Sequence, residues 1–529
     1  MGVLGKISGL FRPKQKKMPV ASNPRYVKTY RRKIAAHYDS ARTTDENERH
    51  WANADALSPN ALMTPAIRNR VRMRARYEAQ QNNSYAKGMI LTLANDLIGK
   101  GPRLQLNNLS QSESVRLQKM FVDWATEVDL AQKLRTMRIA KCVDGESFAV
   151  MITNPSLKSP VKLDIRPIEA DRVEEPFQYL RREEDGVDAV RMDTNGNITH
   201  YYLQDTHPGG VVSDGAWRGE WVSSDHILHV FRRDRPEQLR GISEIVTALP
   251  LFAMSRRFTL ATLAAAETAA DFAAVLYTDS PAVDSANLGQ DEWFDAIPIE
   301  YRAMVTLPNS WKMEQFRAEH PSASYDMFKR EILNEIARCL NMPFNVAAAN
   351  SSSYNYSSGR LDHQTYFKSI DVERDEWECA VLDKILYAWL AEAYAARLID
   401  AASSDEFAEW SWQWHWDNRE DIDEAKSANA KETKLRSGMT NRVLVLQRDN
   451  IDLDQHDADA ARSYGKTVEQ YREALFQQQF SVGATDGKSG TTEPSQDRES
   501  GESPDDSSVE ATHFIPHWER RQLPTPSGG

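Results

Sequence analysis

The chemistry-bearing residues that stand out first are Gly465-Lys466-Thr467 and Gly487-Lys488-Ser489, two near matches to a phosphate-binding loop. That loop needs a leading glycine, a preceding strand and a following helix, so that backbone N–H groups cradle phosphate oxygens. In the first match Ala460 occupies the glycine position and the acidic stretch DLDQHDAD precedes it; in the second Val482 does, within a tail of low hydrophobicity. Neither has the context of a nucleotide site. Asp225, His226 and His229 raise the question of a metal, but residues three apart on a strand point to opposite faces and cannot converge on one ion. Asp362 and His363 fall where a helix begins, and an acid there complements the helix dipole. Asp144 and Glu146 flank Gly145, which reads as a turn into a strand rather than a paired-carboxylate site. These readings leave no catalytic, cofactor-binding or metal-ligating residue to assign.

Three other patterns concern contact. Arg68, Arg70, Arg72, Arg74 and Arg76 alternate; a strand would gather them on one edge, and a helix would spread them for salt bridges within the chain or to a partner subunit. Trp410, Trp412, Trp414 and Trp416 alternate too, placing all four on one side of a strand, for packing, a subunit contact or base stacking. The segment Asn350-Ser351-Ser352-Ser353-Tyr354-Asn355-Tyr356 is rich in hydroxyl and amide groups, and no charge follows Pro343 until Arg360. Such a loop can touch a phosphate backbone without the grip of lysine and arginine.

The elements that position these groups can be read along the chain. Residues 1–50 look like an extended basic arm. Ala86, Ile90, Leu93 and Leu97 share one helix face, and Gly99 and Pro102 stop it; a second helix is expected from about Ser112 to Glu127. From Glu146 to Val230 the texture is strand-like in ESFAVMI, KLDIRPI, ITHYYL and HILHVF, with a hairpin turn at Thr194–Asn197. A long helical stretch is expected from Gly241 to Ala274, delayed or kinked at Pro250. Its last fourteen residues hold eight alanines, so helices could approach closely there, with Ala261, Ala265 and Ala269 as packing positions. Residues 275–322 read as a small insert with strands AAVLYT and AMVTLP. Residues 323–341 form a helix with Phe328, Ile332, Ile336 and Leu340 on one face. After the loop a long helix runs to about Ile399, then the tryptophan strand and a polar helical region. Residues 481–529 should be disordered. The fold class is α+β.

Composition bounds function. The chain has 529 residues, 41% hydrophobic and 27% charged. No apolar run reaches membrane-spanning length, and three scattered cysteines argue against a disulfide framework or zinc ribbon and for a reducing compartment. The net charge is −12, yet residues 1–33 carry ten Lys/Arg and no acid, leaving 55 basic and 77 acidic residues, a balance of −22. An acidic body suits a protein that must not grip DNA strongly.

In order along the chain, RARYEAQQNNSYAKGMILTLANDLIGKGPRLQ, CVDGESFAVM, IEADRVEEP, HVFRRDRPEQLRGISEI with its alanine-rich helix, LNMPFNVAAANSSSYNYSSGRLDHQTYFK, the tryptophan strand and LRSGMTNRVLVLQRDNIDLDQ resemble the portal proteins of lambda-like tailed phages. The resemblance runs from about Arg68 to Glu473. It implies a homo-oligomeric ring, twelvefold in the virion, at one capsid vertex, with double-stranded DNA passing through its channel. It implies partners: the large terminase subunit, capsid or scaffold protein, and head–tail connector proteins, with no membrane and no cofactor. Assembly would take place in the host cytoplasm. Carried onto this chain, it makes residues 51–240 an α+β wing, 241–274 and 323–341 the stem helices, and 275–322 a small α/β clip with Asp291, Glu292 and Trp293 as contacts. It makes 342–357 the tunnel loop, with Asn350 through Tyr356 facing DNA, 358–424 the tunnel helix and return to the wing, and 425–480 a helical crown, between disordered termini. The alternatives are a ring-forming head–tail adaptor that does not touch DNA, and a nucleic-acid-processing hydrolase using Asp144, Glu146 or the His226/His229 strand.

Overall fold

The structure is a computed structural model that describes residues 44–107, 109–175, 187–210, 218–271, 275–278, 311–314, 322–352, 354–399, 410–417, 424–448, 451 and 453–481. The expected basic arm up to residue 43, the AMVTLP strand, the clip contacts Asp291, Glu292 and Trp293, and the tail after Ser481 lie outside the described residues. The chain divides into two compact units, Met1–Glu420 with Arg448–Asn450, and Asp421–Gln447 with Ile451–Gly529.

In the first unit two single helical turns, Glu48–Trp51 and Pro59–Leu62, precede α1 (Pro65–Arg76), whose Pro65 sits where a helix needs no amide donor. A π-helical turn, Tyr77–Asn82, leads to α2 (Ser84–Ile98). Asn83 caps α2 by accepting from the amides of Tyr85 and Ala86, and Ala86, Ile90, Leu93 and Leu97 are buried as their spacing predicts. The helix stops at Gly99, whose φ of +55° few other residues would adopt. Strand β1 (Arg103–Asn107) and α3 (Gln111–Glu127) follow. Next comes α4 (Leu130–Asp144), a helix that the sequence pattern hides because its buried face includes Arg138 and Lys141 beside Leu134 and Met137.

Gly145 then turns the chain into β2 (Glu146–Thr153). The expected strands are present: β3 (Leu163–Ile168), β5 (Ile198–Gln204) and β7 (Ile227–Phe231). Two unexpected ones, β4 (Val190–Met192) and β6 (Gly219–Ser223), flank β5. β3-β2-β7 and β4-β5-β6 are antiparallel three-stranded sheets. Gly196, at φ +86°, makes the β4–β5 turn.

The long helix α5 spans Leu249–Asp271. It starts eight residues after Gly241, where the sequence reading placed it. Residues 244–248 are instead turns, and Pro250 takes an early helical position that costs no hydrogen bond. Strands β8 (Val275–Thr278) and β9 (Trp311–Glu314) pair with each other and are the only described part of the expected clip. Helix α6 (Ser322–Arg338) ends three residues short of the expected Asn341. Asn341 is left-handed at φ +53°, and the Met342 amide returns to the Ala337 carbonyl at 3.1 Å, a helix stop of the Schellman type.

A single helical turn, α7 (Phe344–Ala347), precedes α8 (Tyr356–Trp377). The run to Ile399 is not one α-helix: a π-helical segment, Glu378–Leu382, joins α8 to α9 (Asp383–Ala395). Strand β10 (Ser411–His415) pairs with β1, so two strands far apart in sequence form one sheet. The core is built on Phe121, Trp124, Trp377, Trp389 and Tyr366, each buried, with the Trp124 indole donating to the Leu163 carbonyl at 2.8 Å. Rings of this size contribute several kcal/mol each to folding, roughly 25 cal/mol per Å² removed from water.

The second unit is helical: α10 (Glu424–Arg436), α11 (Arg442–Arg448), α12 (Leu453–Ser463) and α13 (Val468–Ser481). Buried Asp457 on α12 binds Arg442 of α11 and, at 2.7 Å, Arg472 of α13, so one carboxylate ties three helices. No helix among the described residues is long and apolar enough to cross a membrane.

Candidate functional site

The polar loop is anchored from both sides. Pro343 starts α7, and Asn345 Nδ2 lies 2.9 Å from His363 Nε2, fixing α7 to α8. The Asn350 amide bonds the Asn345 carbonyl at 3.0 Å, and Ala349 is held at φ +49°. Asn350 Oδ1 accepts from the Ser352 amide at 3.0 Å, and the Tyr354 amide donates to the Ser351 carbonyl at 3.1 Å. Asn355 caps α8 by accepting from the Ser358 amide at 2.8 Å. The loop is thus shorter than the expected 342–357. Phe344–Ala347 is helical, Tyr356 already belongs to α8, and only Ala348–Asn355 is loop. Asn350, Ser351, Ser352 and Asn355 are exposed and Tyr354 is half-buried; Ser353 lies outside the described residues, as does the Tyr356 side chain. The exposed surface offers donors and acceptors with no formal charge.

Helices α5 and α6 pack through Phe258, whose ring is 4.2 Å from Phe328 and 5.7 Å from Tyr325, and through Thr259 Oγ1, 3.2 Å from the Tyr325 hydroxyl. Ala261 and Ala265 are exposed; Ala269 lies near the end of α5, beyond the described side chains. Met254, Leu260 and Leu263 on α5 and Met327 on α6 are also more than half exposed. Among the described residues, apolar surface on this helix pair is left uncovered.

The arginine series is helical, and this decides its role. Arg68, Arg72 and Arg76 recur every four residues on the inner face of α1, while Arg70 and Arg74 are exposed. Glu146 is their centre. It is fully buried, with Arg72 Nη2 at 3.2 Å and Arg240 at 2.7 and 2.8 Å on its two oxygens. Arg68 binds Asp188, and Arg76 binds Asp144 at 2.7 and 2.8 Å and Asp171 at 2.7 Å. Burial alone would raise the Glu146 carboxyl, yet Arg240, His229 and Arg68 hold it well below the usual range. Both oxygens are occupied and no solvent reaches them, so Glu146 is no general base. The salt-bridge reading of these arginines holds, within this chain.

A second buried network joins α4, the 244–248 turns and α8. Arg138 lies 2.9 Å from Glu244 and from Glu373, and Lys141 Nζ is 2.5 Å from Glu373. Burial would raise the Glu244 carboxyl, but Arg138 and Lys141 bring it down to about 2.

The remaining sequence candidates resolve into structure. His229 stacks on Phe148 at 4.1 Å and meets Tyr201 and Glu146 at 3.1 and 3.4 Å; burial pushes its pKa down to about 4. His226 sits in a 3-10 turn, away from it on the chain surface. The tryptophans share one side of β10: Trp412 and Trp414 both donate to Asp383, at 2.8 and 3.0 Å, and Trp416 donates to Glu378 at 2.6 Å. They pack within the chain rather than offering faces to bases. Burial raises the Glu378 carboxyl to about 7, with Asp375 and Asp383 adding to the shift.

Gly465-Lys466-Thr467 is a helix-to-helix corner. The Lys466 amide returns to the Ala461 carbonyl at 2.9 Å with Gly465 at φ +62°. Thr467 and Gln470 then cap α13 reciprocally, at 3.2 and 3.3 Å. Those backbone donors serve helix ends, not phosphate. The second near match lies outside the described residues. Sequence reasoning missed Glu169, Asp171 and His207, whose ligand atoms cluster within 4.8 Å. Arg76 lies 2.7 Å from Asp171 and 3.4 Å from Glu169, and already supplies the positive charge a cation would bring.

The family described as phage portal protein, lambda family, matches residues 44–374. No curated protein matches. Among solved structures, the chain is similar to a protein of the neck of a native gene transfer agent particle computed with C12 symmetry: 11% identity, 72% of this chain and 94% of that one, TM-score 0.41. A neck of an empty particle computed with C6 symmetry gives 12% identity, 72% and 92% coverage and a TM-score of 0.42. A virion of a native gene transfer agent particle gives 11%, 72% and 93%, with 0.40.

Proposed function

The chain belongs to the lambda family of phage portal proteins, and from that premise we propose that its copies, twelve in the assembled virion, close into a ring at one capsid vertex whose channel carries double-stranded DNA inward during packaging and outward at ejection. The single observation that carries this reading is the span of the family match, which runs from before α1 into α8. It takes in the α5/α6 pair and the uncharged loop between α7 and α8. In this reading 51–240 is the wing, α5 and α6 are the stem, 275–322 is the clip, Ala348–Asn355 is the part of the tunnel loop that meets DNA, and the second unit is the crown. The clip, with Asp291, Glu292 and Trp293, meets the large terminase subunit first and head–tail connector proteins later, while the outer surface meets capsid or scaffold protein. The protein works without catalysis or cofactor; its places are the host cytoplasm during assembly and then the virion.

Two features support the reading. Apolar side chains stand exposed on α5 and α6, where neighbours in a ring would cover them. The loop offers hydroxyls and amides without cationic charge, which suits sliding contact with phosphates. Electron microscopy of the purified full-length protein tests it: annular particles with an open centre are expected, and particles that never close into rings overturn it. Robust ATP hydrolysis lost on Lys466→Ala would favour an enzyme instead.

A further inference from the structure

Arg257 and Glu331 stand on outward faces of two helices that pack against each other. At 100° per residue, Arg257 falls on the side of α5 opposite Ser255, Phe258, Thr259 and Thr262, which are half-buried towards the rest of the chain. It shares that side with exposed Ala253, Leu260 and Ala261. Glu331 falls on the side of α6 opposite Leu333 and Ile336, beside exposed Met327 and Asn334. Arg256 is committed to Asn82. Arg257 and Glu331 have no partner among the described residues. Along α6 runs an open groove of about 520 Å³ lined by Phe328, Glu331, Ile332, Asn334, Glu335 and Arg338. Its two acids, Glu331 and Glu335, outnumber its one cation, Arg338, and Glu331 is placed to meet Arg257 on the outward face of α5.

We propose that in the ring the outward face of α5 seats in the α6 groove of the adjacent copy, with Arg257 paired to the partner subunit's Glu331. The proposal rests on the ring reading above and adds the register and handedness of the contact. Charge complementarity selects the occupant: α5 brings Arg257 with small or apolar side chains, and the groove supplies Glu331 and Glu335 beside Phe328 and Ile332, with its one cation, Arg338, about two helical turns from Glu331. Height selects the register. Phe258 touches Phe328 at 4.2 Å within one chain, so Arg257 and Glu331 lie within about one helical turn of the same level. Rotation about a channel axis preserves that level for helices running along it. The contact is heterologous, two different faces meeting head to tail, which is what closes a cyclic ring. Leu260, 56% exposed, and Met327, 64% exposed, would shield the pair from water, so it fixes register more than it adds raw affinity.

The test is a charge swap in the full-length protein. Arg257→Glu and Glu331→Arg are each expected to raise the protein concentration at which rings half-form by about tenfold, or ~1.4 kcal/mol, and the double variant to restore it. Light scattering and electron microscopy read ring formation, and thermal unfolding of the monomer should be unchanged, since both side chains are exposed. Single variants that assemble like the parent, or a double variant no better than the singles, overturn the pairing while leaving the ring intact. A parent protein that forms no rings overturns both readings together.

Discussion

Arg240 grips Glu146 with two nitrogens, Nη2 at 2.7 Å from one carboxylate oxygen and Nε at 2.8 Å from the other, and both residues are almost wholly excluded from solvent. Arg72 and His229 also face this carboxylate, at 3.2 and 3.4 Å. Glu146→Ala would remove the fully buried carboxylate from Arg72 and Arg240, leaving only Asp171 at 3.2 Å from the first and Asp188 at 3.8 Å from the second. A loss of about 3–5 kcal/mol is expected, read as a fall in Tm of the full-length protein. An unchanged Tm would mean that water or another acid replaces Glu146 at no cost.

Glu244 sets the acid limit. Its folded pKa of about 2 lies below the unfolded value near 4.5, so the stability it contributes is present above about pH 4.5 and lost as pH falls towards 2. Glu146, held low for the same reason, acts in the same direction. Tm should therefore drop steeply below about pH 4.5, and Glu244→Gln should lower Tm at pH 7 while flattening that limb.

His229 and Glu378 act in opposite directions nearer neutrality. His229, lowered to about 4, contributes stability that is present above 6.5 and lost as pH falls through 4. Glu378, raised to about 7, contributes stability that is present below 4.5 and lost as pH rises through 7. The two slopes offset each other between about pH 4.5 and 6.5. Glu378→Gln, which still accepts from Trp416, should unmask a Tm that rises with pH in that window; His229→Gln should unmask one that falls. If both variants track the parent curve, these groups titrate as they do in the unfolded chain.

Replacing Asn350–Tyr356 with a Gly/Ser linker should leave ring assembly intact, because the helices on either side are anchored by the Asn345–His363 bond and by the Leu340 and Met342 packing. Genome packaging or retention should fall. Normal yields of filled particles from that variant would remove the loop from the DNA path.

Ala265→Leu, and likewise Ala261→Leu, enlarges an exposed position on α5. The monomer should keep its Tm, whereas ring closure should weaken by about 1–3 kcal/mol through overpacking. Unaltered ring formation would place these alanines on a face that no neighbour covers.

How far the chain could be read from its residues depended on what stabilised each element. α2 was legible because its buried face is purely apolar, and β2, β3, β5 and β7 because β-branched and aromatic residues cluster between turn signals. α4 was not, because Arg138 and Lys141 are buried by pairing with Glu244 and Glu373, 106 and 235 residues away for Arg138; no local pattern carries that. The late start of α5 at Leu249 agrees with the delay expected from Pro250, but the turn bonds of 243–248 and the contacts of Ser243 and Glu244 to Cys142 carry no local sequence signal. The polar loop was found from its lack of charge and its helix-breaking Met342-Pro343, but its true length was not, since Asn355 and Pro343 act as caps only in three dimensions. The arginine series was ambiguous until α1 fixed the period that separates Arg68, Arg72 and Arg76 from Arg70 and Arg74.

The eight residues before α5, 241–248, carry a mechanical consequence. The Gly241 amide donates to Glu146 at 3.2 Å, and a Cβ on Gly241 would stand 2.0 Å from the Gly145 carbonyl oxygen. The Ser243 hydroxyl and the Glu244 amide both reach the Cys142 carbonyl, at 3.1 and 3.0 Å, and Glu244 is itself bound to Arg138. A pivot needs slack, and the first half of this stretch has little: Gly241, Ser243 and Glu244 are fastened by backbone contact and by buried charge. α5 is therefore fixed at its start and braced again by Arg256 on Asn82 and Phe258 on Phe328, so force applied to its far end would be felt at β2, α4 and α6 before it could turn the joint.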